Sequence, residues 1–143
     1  MKKAMAAIIA GFLVIFQGCI MTGNIVSDAK QVRASNKKAD IDISEIVQKY
    51  IPVGSKKETV DSYLMANKFS LYYQPKEKLD HDLRVNKSYV TDTLQVLFAT
   101  YKPPLTSSGW YTNPFFYDVI RVVVVFEDDT AREVTGKIII RSL

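Results

Sequence analysis

The sequence has few of the residues that build catalytic and metal sites. It contains one cysteine and one histidine among 143 residues, and its six glycines are scattered. One cysteine excludes a disulfide framework within the chain, and one of each residue is too few for a Cys/His zinc module. The glycines form no phosphate-binding loop. What is present, 48% hydrophobic and 24% charged residues, is typical of one globular domain and not of a disordered chain.

The N-terminus lacks a hydrophobic run of full membrane-spanning length. Lys2 and Lys3 precede an uncharged run of 13 residues, Ala4 to Phe16, whereas a spanning helix needs about 20. A basic start, a short apolar core and a small residue before a break are typical of a secretion signal. We therefore expect residues 1–18 to be a removed signal peptide. The alternative is an uncleaved anchor, with the run continuing to Thr22.

The single cysteine lies where this signal would be cut. Phe16-Gln17-Gly18-Cys19 resembles the lipobox of bacterial lipoproteins, in which a small residue precedes a cysteine that is lipidated and becomes the new N-terminus. The resemblance implies that Cys19 carries acyl chains such as palmitate, which anchor a domain with about 0.8 kcal/mol per buried CH₂. Ile20 follows in place of the aspartate that signals inner-membrane retention, which implies the outer membrane, facing the periplasm.

The net charge gives little indication of a strongly anionic partner. It is +4 at pH 7, but removal of Lys2 and Lys3 leaves 17 basic residues against 15 acidic ones. A nearly neutral domain does not predict nucleic-acid binding.

The rest of the chain divides into a polar segment and a patterned one. Residues 19–40 are mixed in charge and lack a sustained period, which predicts a flexible tether; a short helix from Ser27 to Ser35 is the alternative for part of it. Residues 41–143 are predicted to form one domain.

Two short helices are expected at the start of this domain. The first runs from Ser44 to Ile51 and ends before Pro52. The run Ser55-Lys56-Lys57-Glu58 predicts a capping box for the second. That helix extends to about Asn67, with three residues at helical spacing on one face: Val60, Tyr63 and Leu64.

Beyond the helices the apolar period changes to two, which is typical of strands. Strand segments are predicted at 69–73, 93–102, 115–126 and 131–141, with a tight turn at 127–130. The third is apolar on nearly both faces and is expected in the centre of the sheet. Its second face holds Val119, Arg121, Val123 and Val125.

These elements predict an α+β fold, a two-layer sandwich with two short N-terminal helices packed on a three-stranded antiparallel sheet. The residues from Ile51 to Val60, with Tyr63 and Leu64, resemble the glycine, capping serine and Glu-x-Val start of the second helix in the SmpA/OmlA (BamE-like) family of small outer-membrane lipoproteins. The run from Val124 to Ala131 is similar to that family's hairpin, with Asp129 in place of its usual glycine. The resemblance implies a scaffold for envelope assembly.

Little in the sequence favours catalysis. His81 lies in the charged run Leu79-Asp80-His81-Asp82, which is typical of a solvated loop, and no serine lies in a nucleophile elbow. The acidic residues 127–129 are typical of a soluble hairpin tip. We therefore predict no enzymatic activity, no cofactor, no metal and no small-molecule substrate.

The feature most indicative of binding is aromatic. Five aromatic residues lie between 110 and 117, and aromatic side chains are enriched at interface hot spots. We interpret Trp110, Tyr111 and Tyr72 as partner-binding candidates, with entry into the core as the alternative, and expect Phe116 in the core.

The sequence thus predicts a lipid-anchored bacterial envelope protein with a non-catalytic binding or scaffold domain, acting on another envelope protein in outer-membrane assembly or maintenance. The alternative is a secreted inhibitor or immunity protein that binds and blocks an enzyme.

Overall fold

The computed structural model describes residues 23–75, 93–102 and 116–142. Three helices and five strands lie within these ranges, and none of these helices is long and apolar enough to cross a membrane. In chain order they are α1 (Ile25–Ser35), β1 (Asp40–Asp42), α2 (Ser44–Tyr50), α3 (Lys57–Ala66), β2 (Ser70–Tyr73), β3 (Gln95–Tyr101), β4 (Phe116–Glu127) and β5 (Thr130–Ser142).

The five strands form one antiparallel sheet in the order β1-β5-β4-β3-β2. β4 is the middle strand, as its two apolar faces predict. The predicted tight turn is also confirmed, because β4 and β5 are joined directly at Asp128 and Asp129. These two residues have φ angles of 50° and 57°, the left-handed geometry that two-residue hairpin turns require.

The α+β class is confirmed, but the expected arrangement of two helices on three strands is wrong. β1 and β2 are short strands at opposite edges of the sheet; β1 lies outside the predicted strand segments, whereas β2 corresponds to the segment predicted at 69–73. β1 has three residues, too few for alternation to be recognised in the sequence. The additional helix is α1, which lies in the segment predicted to be a flexible tether and covers the alternative helix from Ser27 to Ser35.

α1 has a buried face on which one position is charged. That face consists of Ile25, Ala29 and Arg33, spaced four residues apart. Because the third position is an arginine, the apolar period that would predict this helix is interrupted in the sequence. The helix start is nevertheless well capped: Asn24 accepts the N–H of Ser27, and the Ser27 hydroxyl accepts the N–H of Asn24.

The charge of Arg33 is balanced by Asp118 on the middle strand. Arg33 Nε donates to Asp118 Oδ2 at 2.9 Å, and Nη2 lies 2.9 Å from Oδ1. The two side chains are 5% and 0% exposed. Arg33 Nη1 also donates to the carbonyls of Asn36 and Lys38, at 3.3 and 2.6 Å. This guanidinium therefore joins α1 both to β4 and to the chain that leads into β1.

Hydrogen bonds between side chains also join the helices to one another. The Tyr50 hydroxyl donates to Asp28 Oδ2 at 2.7 Å, and this bond is the main reason that the pKa of Asp28 is lowered. The Tyr63 hydroxyl accepts the N–H of Ile25 at 3.3 Å, and the rings of Tyr50 and Tyr63 stack with centroids 6.0 Å apart. The first turn of α1 is thereby held by both α2 and α3.

The capping box predicted at Ser55 and Glu58 is wrong. α3 begins at Lys57 with no hydrogen bond from a capping side chain. The Ser55 hydroxyl donates instead to the Pro52 carbonyl, at 2.6 Å.

Backbone pairing with the β4–β5 turn takes the place of that cap. The N–H of Gly54 donates to the Ala131 carbonyl, and the N–H of Ala131 donates to the Ser55 carbonyl, at 2.7 and 2.8 Å. The N–H of Lys57, in the first turn of α3, donates to the Asp129 carbonyl at 2.9 Å. The start of α3 is therefore fixed by the hairpin and not by its own sequence.

The helices and one face of the sheet enclose a single core. Burial of each large apolar side chain in such a core contributes about 1.5–3 kcal/mol. α2 approaches β5 most closely at Gly136, where a Cβ atom would overlap Cγ2 of Val47. The largest fully buried side chains include Phe126, Ile25, Ile51, Leu64, Leu97, Ile120 and Ile138.

We expect Asp118→Leu to lower the free energy of unfolding by about 3–5 kcal/mol, because it leaves the Arg33 guanidinium buried without a counter-ion. Urea denaturation at neutral pH measures this. Glu127→Gln is the matched control: it breaks the exposed pair with Arg132, 3.1 Å apart, and should cost less than about 1 kcal/mol. Equal costs for the two variants would contradict this account of α1.

Candidate functional site

Tyr72 is the predicted partner-binding residue that the described part of the chain contains. It lies in β2, at an edge of the sheet, and is 52% exposed. Trp110 and Tyr111 lie outside the described residues, as do Cys19 and His81.

The neighbouring Tyr73 explains why Tyr72 points outward. Successive side chains of a strand alternate between the faces of a sheet. The Tyr73 hydroxyl donates to Asp61 Oδ1 of α3 at 2.5 Å, and its ring lies 6.5 Å from that of Phe126 in the core. Lys57 Nζ lies 4.5 Å from the centre of the Tyr73 ring. Tyr73 thus fastens β2 to the helical layer and leaves Tyr72 on the opposite side.

The Tyr73 hydroxyl is suited to this role because it remains protonated. Burial raises the pKa of Tyr73, and the hydrogen bond to Asp61 raises it further. A protonated phenol keeps its hydrogen for donation to the carboxylate at any physiological pH.

Tyr72 belongs to the face of the sheet opposite the helices, which we call the open face. In the strand register, Tyr72 lies opposite Phe98 and Phe98 lies opposite Val123. The rings of Tyr72 and Phe98 are 6.5 Å apart and tilted by 37°. Such cross-strand contacts stabilise a sheet and form a continuous surface. We call the resulting surface the apolar patch; it consists of Tyr72, Phe98, Val123 and Val125, which are all at least partly exposed. Val96 of β3 and Val119 of β4 lie on the same face of the sheet but are buried, at 8% and 2% exposure.

Two cations lie beside the apolar patch. Arg121 on β4 is directly opposite Lys137 on β5, and like charges in this position repel each other. Lys137 Nζ lies 3.9 Å from Asp40 Oδ2, with both side chains more than half exposed, so this contact is weak. Among the described residues, no carboxylate lies within ion-pair distance of Arg121.

A cleft of about 450 Å³ separates the start of α3 from the β4–β5 turn. Its lining combines cations and carboxylates, so it has no strong preference for a ligand of one charge. Within the described ranges, no group of three His, Cys, Asp or Glu residues is placed to hold a metal ion. The residues that line the cleft are Lys56, Lys57, Glu58, Asp61, Asp128, Asp129 and Thr130.

No protein-family model, curated protein or solved structure matches this chain. The resemblance to the SmpA/OmlA family therefore stays a prediction.

Sequence reasoning missed part of this surface and misplaced one residue. Phe116, expected in the core, is 41% exposed. It is the first residue of β4 and therefore lies at the end of the sheet. Phe98 and Arg121 were not recognised as site residues. The signal was available: the period of two placed Arg121 on the same face as Val123 and Val125, and Phe98 on a neighbouring strand.

The two adjacent tyrosines should respond differently to loss of the hydroxyl. Tyr73→Phe removes the hydrogen bond to Asp61 and should lower the free energy of unfolding by about 1 kcal/mol. Tyr72→Phe, the matched control on the open face, should change it by less than about 0.5 kcal/mol. Urea denaturation of both variants at pH 7 tests this. An equal loss in both would show that Tyr73 does not fasten β2.

Proposed function

We propose that this protein is a lipid-anchored envelope protein whose folded domain is a non-catalytic binding module, and that its open face receives a partner protein. The observation that carries the proposal is the apolar patch, which extends from the exposed Tyr72 at the sheet edge to the middle strand.

The composition of the patch supports binding. Tyrosine supplies a large contact area with only two side-chain torsions to fix, so little conformational entropy is lost when it is buried. The valines next to it are fixed by strand pairing. A partner's apolar side chain would therefore meet a surface that is already ordered, which favours affinity.

The position of the patch supports the same function. The helices cover the other face of the sheet, where their side chains share one core with the strands. Contact through the open face would therefore leave that core unchanged. A domain of this kind can join a complex without refolding, as a scaffold for outer-membrane assembly or maintenance requires.

The anchor is proposed from the N-terminal pattern. Cys19, after the short apolar run, would carry the lipid and hold the domain at the periplasmic side of the outer membrane.

We expect Cys19→Ser to move the full-length protein from the membrane fraction to the soluble fraction. Cell fractionation with an antibody to the folded domain measures this. Retention of the variant in the membrane fraction would favour an uncleaved N-terminal helix instead.

Photocrosslinking in intact cells tests the binding surface. A photoreactive amino acid in place of Tyr72 in the full-length chain should give a discrete protein adduct. The matched control replaces Gln31, an exposed residue on α1 in the helical layer, and should give none. Adducts from position 31 and none from position 72 would place the binding surface on the helices and overturn this proposal.

A further inference from the structure

We propose that Arg121 receives a carboxylate of the partner protein. The inference rests on the proposed function and specifies the partner's chemistry: an acidic side chain flanked by apolar residues that cover the apolar patch.

The first step of the argument is the position of Arg121 in the sheet. It lies on the middle strand, half-buried, with Val123 of the apolar patch two residues away on the same face. Phe98 is its diagonal neighbour across β3, since Phe98 pairs with Val123 and Thr100 with Arg121. A ligand group bound by Arg121 would therefore lie directly beside the patch.

The second step is the lack of a partner within the described part of the chain. The nearest carboxylates of the open face belong to Asp40 and Asp42 on β1, two strands from β4 and thus about 10 Å away. Asp40 lies beside Lys137. Asp42 accepts the N–H and the hydroxyl of Ser44, at 2.8 and 2.6 Å, and these bonds lower its pKa. Both carboxylates are therefore already engaged elsewhere.

The third step is the chemistry of the guanidinium. Its planar fork can bind a carboxylate through two parallel hydrogen bonds. Inside the core, Arg33 holds Asp118 with one hydrogen bond from Nε to Oδ2 and an ion-pair contact from Nη2 to Oδ1. A half-buried site strengthens such a pair, because less water competes for the donors. An incoming anion would also offset the repulsion between Arg121 and Lys137, which face each other across β4 and β5.

The charge balance of the open face favours a protein over an anionic lipid surface. A membrane attracts basic residues with about 1 kcal/mol each and needs several of them without acidic neighbours. Among the described strand residues of this face, the cations and the carboxylates are equal in number, so these residues carry no net charge. Besides the Glu127–Arg132 pair, the charged strand residues of this face are Arg121, Lys137, Arg141, Asp40, Asp42 and Glu133.

The test repeats the crosslinking from position 72 with Arg121 changed. Arg121→Gln should reduce the yield of the adduct about tenfold, because a hydrogen-bonded charge pair is lost. Arg121→Lys keeps the charge but not the fork and should give an intermediate yield. The matched control is Arg141→Gln, an exposed cation on β5 opposite Tyr117, which should leave the yield unchanged. Thermal unfolding of each variant checks that its domain is folded. If the Arg121→Gln variant does not fold, the Arg121→Lys variant is used for the test in its place.

A charge exchange gives the decisive result. Mass spectrometry of the adduct identifies the partner residue nearest to position 72. Arg121→Glu should abolish the adduct, and replacement of the partner's closest acidic residue by arginine should restore it. An unchanged yield in folded Arg121→Gln, or no acidic residue near the crosslink, would overturn this inference and leave the proposed function standing. Adducts to lipid alone, or no adduct from position 72, would overturn both.

Discussion

The buried contact between Arg33 and Asp118 is the constraint on which the arrangement of this domain depends. Asp118 lies on the helix-facing side of the middle strand, among residues such as Ile120 and Val122 that are fully buried. A carboxylate in that position is costly unless a cation and several donors surround it. Arg33 supplies the cation and one hydrogen bond, and it simultaneously binds two carbonyls of the chain that enters β1. One guanidinium therefore sets where α1 packs and where the edge strand beside β5 begins.

The two faces of β4 differ in whether a charged side chain meets an oppositely charged side chain of the described residues. On the helix side, the charge of Arg33 is matched by a carboxylate of the same chain, and the surrounding side chains are closed to solvent. On the open face, Arg121 lies between the buried Val119 and the half-buried Val123, and the described residues offer it no such carboxylate. The same strand thus contributes to a completed core on one side and to a surface suited to an external acidic group on the other. The same difference separates the two tyrosines of β2: Tyr73 is bonded to Asp61 of the helical layer, and Tyr72 lies exposed on the open face.

The parts of the fold that could be predicted are those whose signals are local and long. β4 is twelve residues long and apolar on nearly both faces, so its central place was recognisable. The parts that could not be predicted depend on distant contacts. Arg33 breaks the apolar period of α1, and its partner lies 85 residues further along the chain. The capping box at Ser55 was a sound local match, but pairing with Ala131 and Asp129 replaced it. For the site, alternation along β2 and β4 is enough to predict that Tyr72 is exposed and on which face Arg121 lies. That no carboxylate of the described residues lies next to Arg121 could be recognised only from the strand order.

The early start of α1 has a consequence for how the domain would move on a membrane. Four residues lead from Cys19 to Gly23, where the described structure begins, and four residues reach at most about 14 Å. If Cys19 is acylated as we propose, the capped end of α1 would stay close to the bilayer. The domain would then remain within a thin layer above the lipid headgroups. Encounter with a partner would become a two-dimensional search, in which a partner held at the same height has a much higher effective concentration than one free in solution.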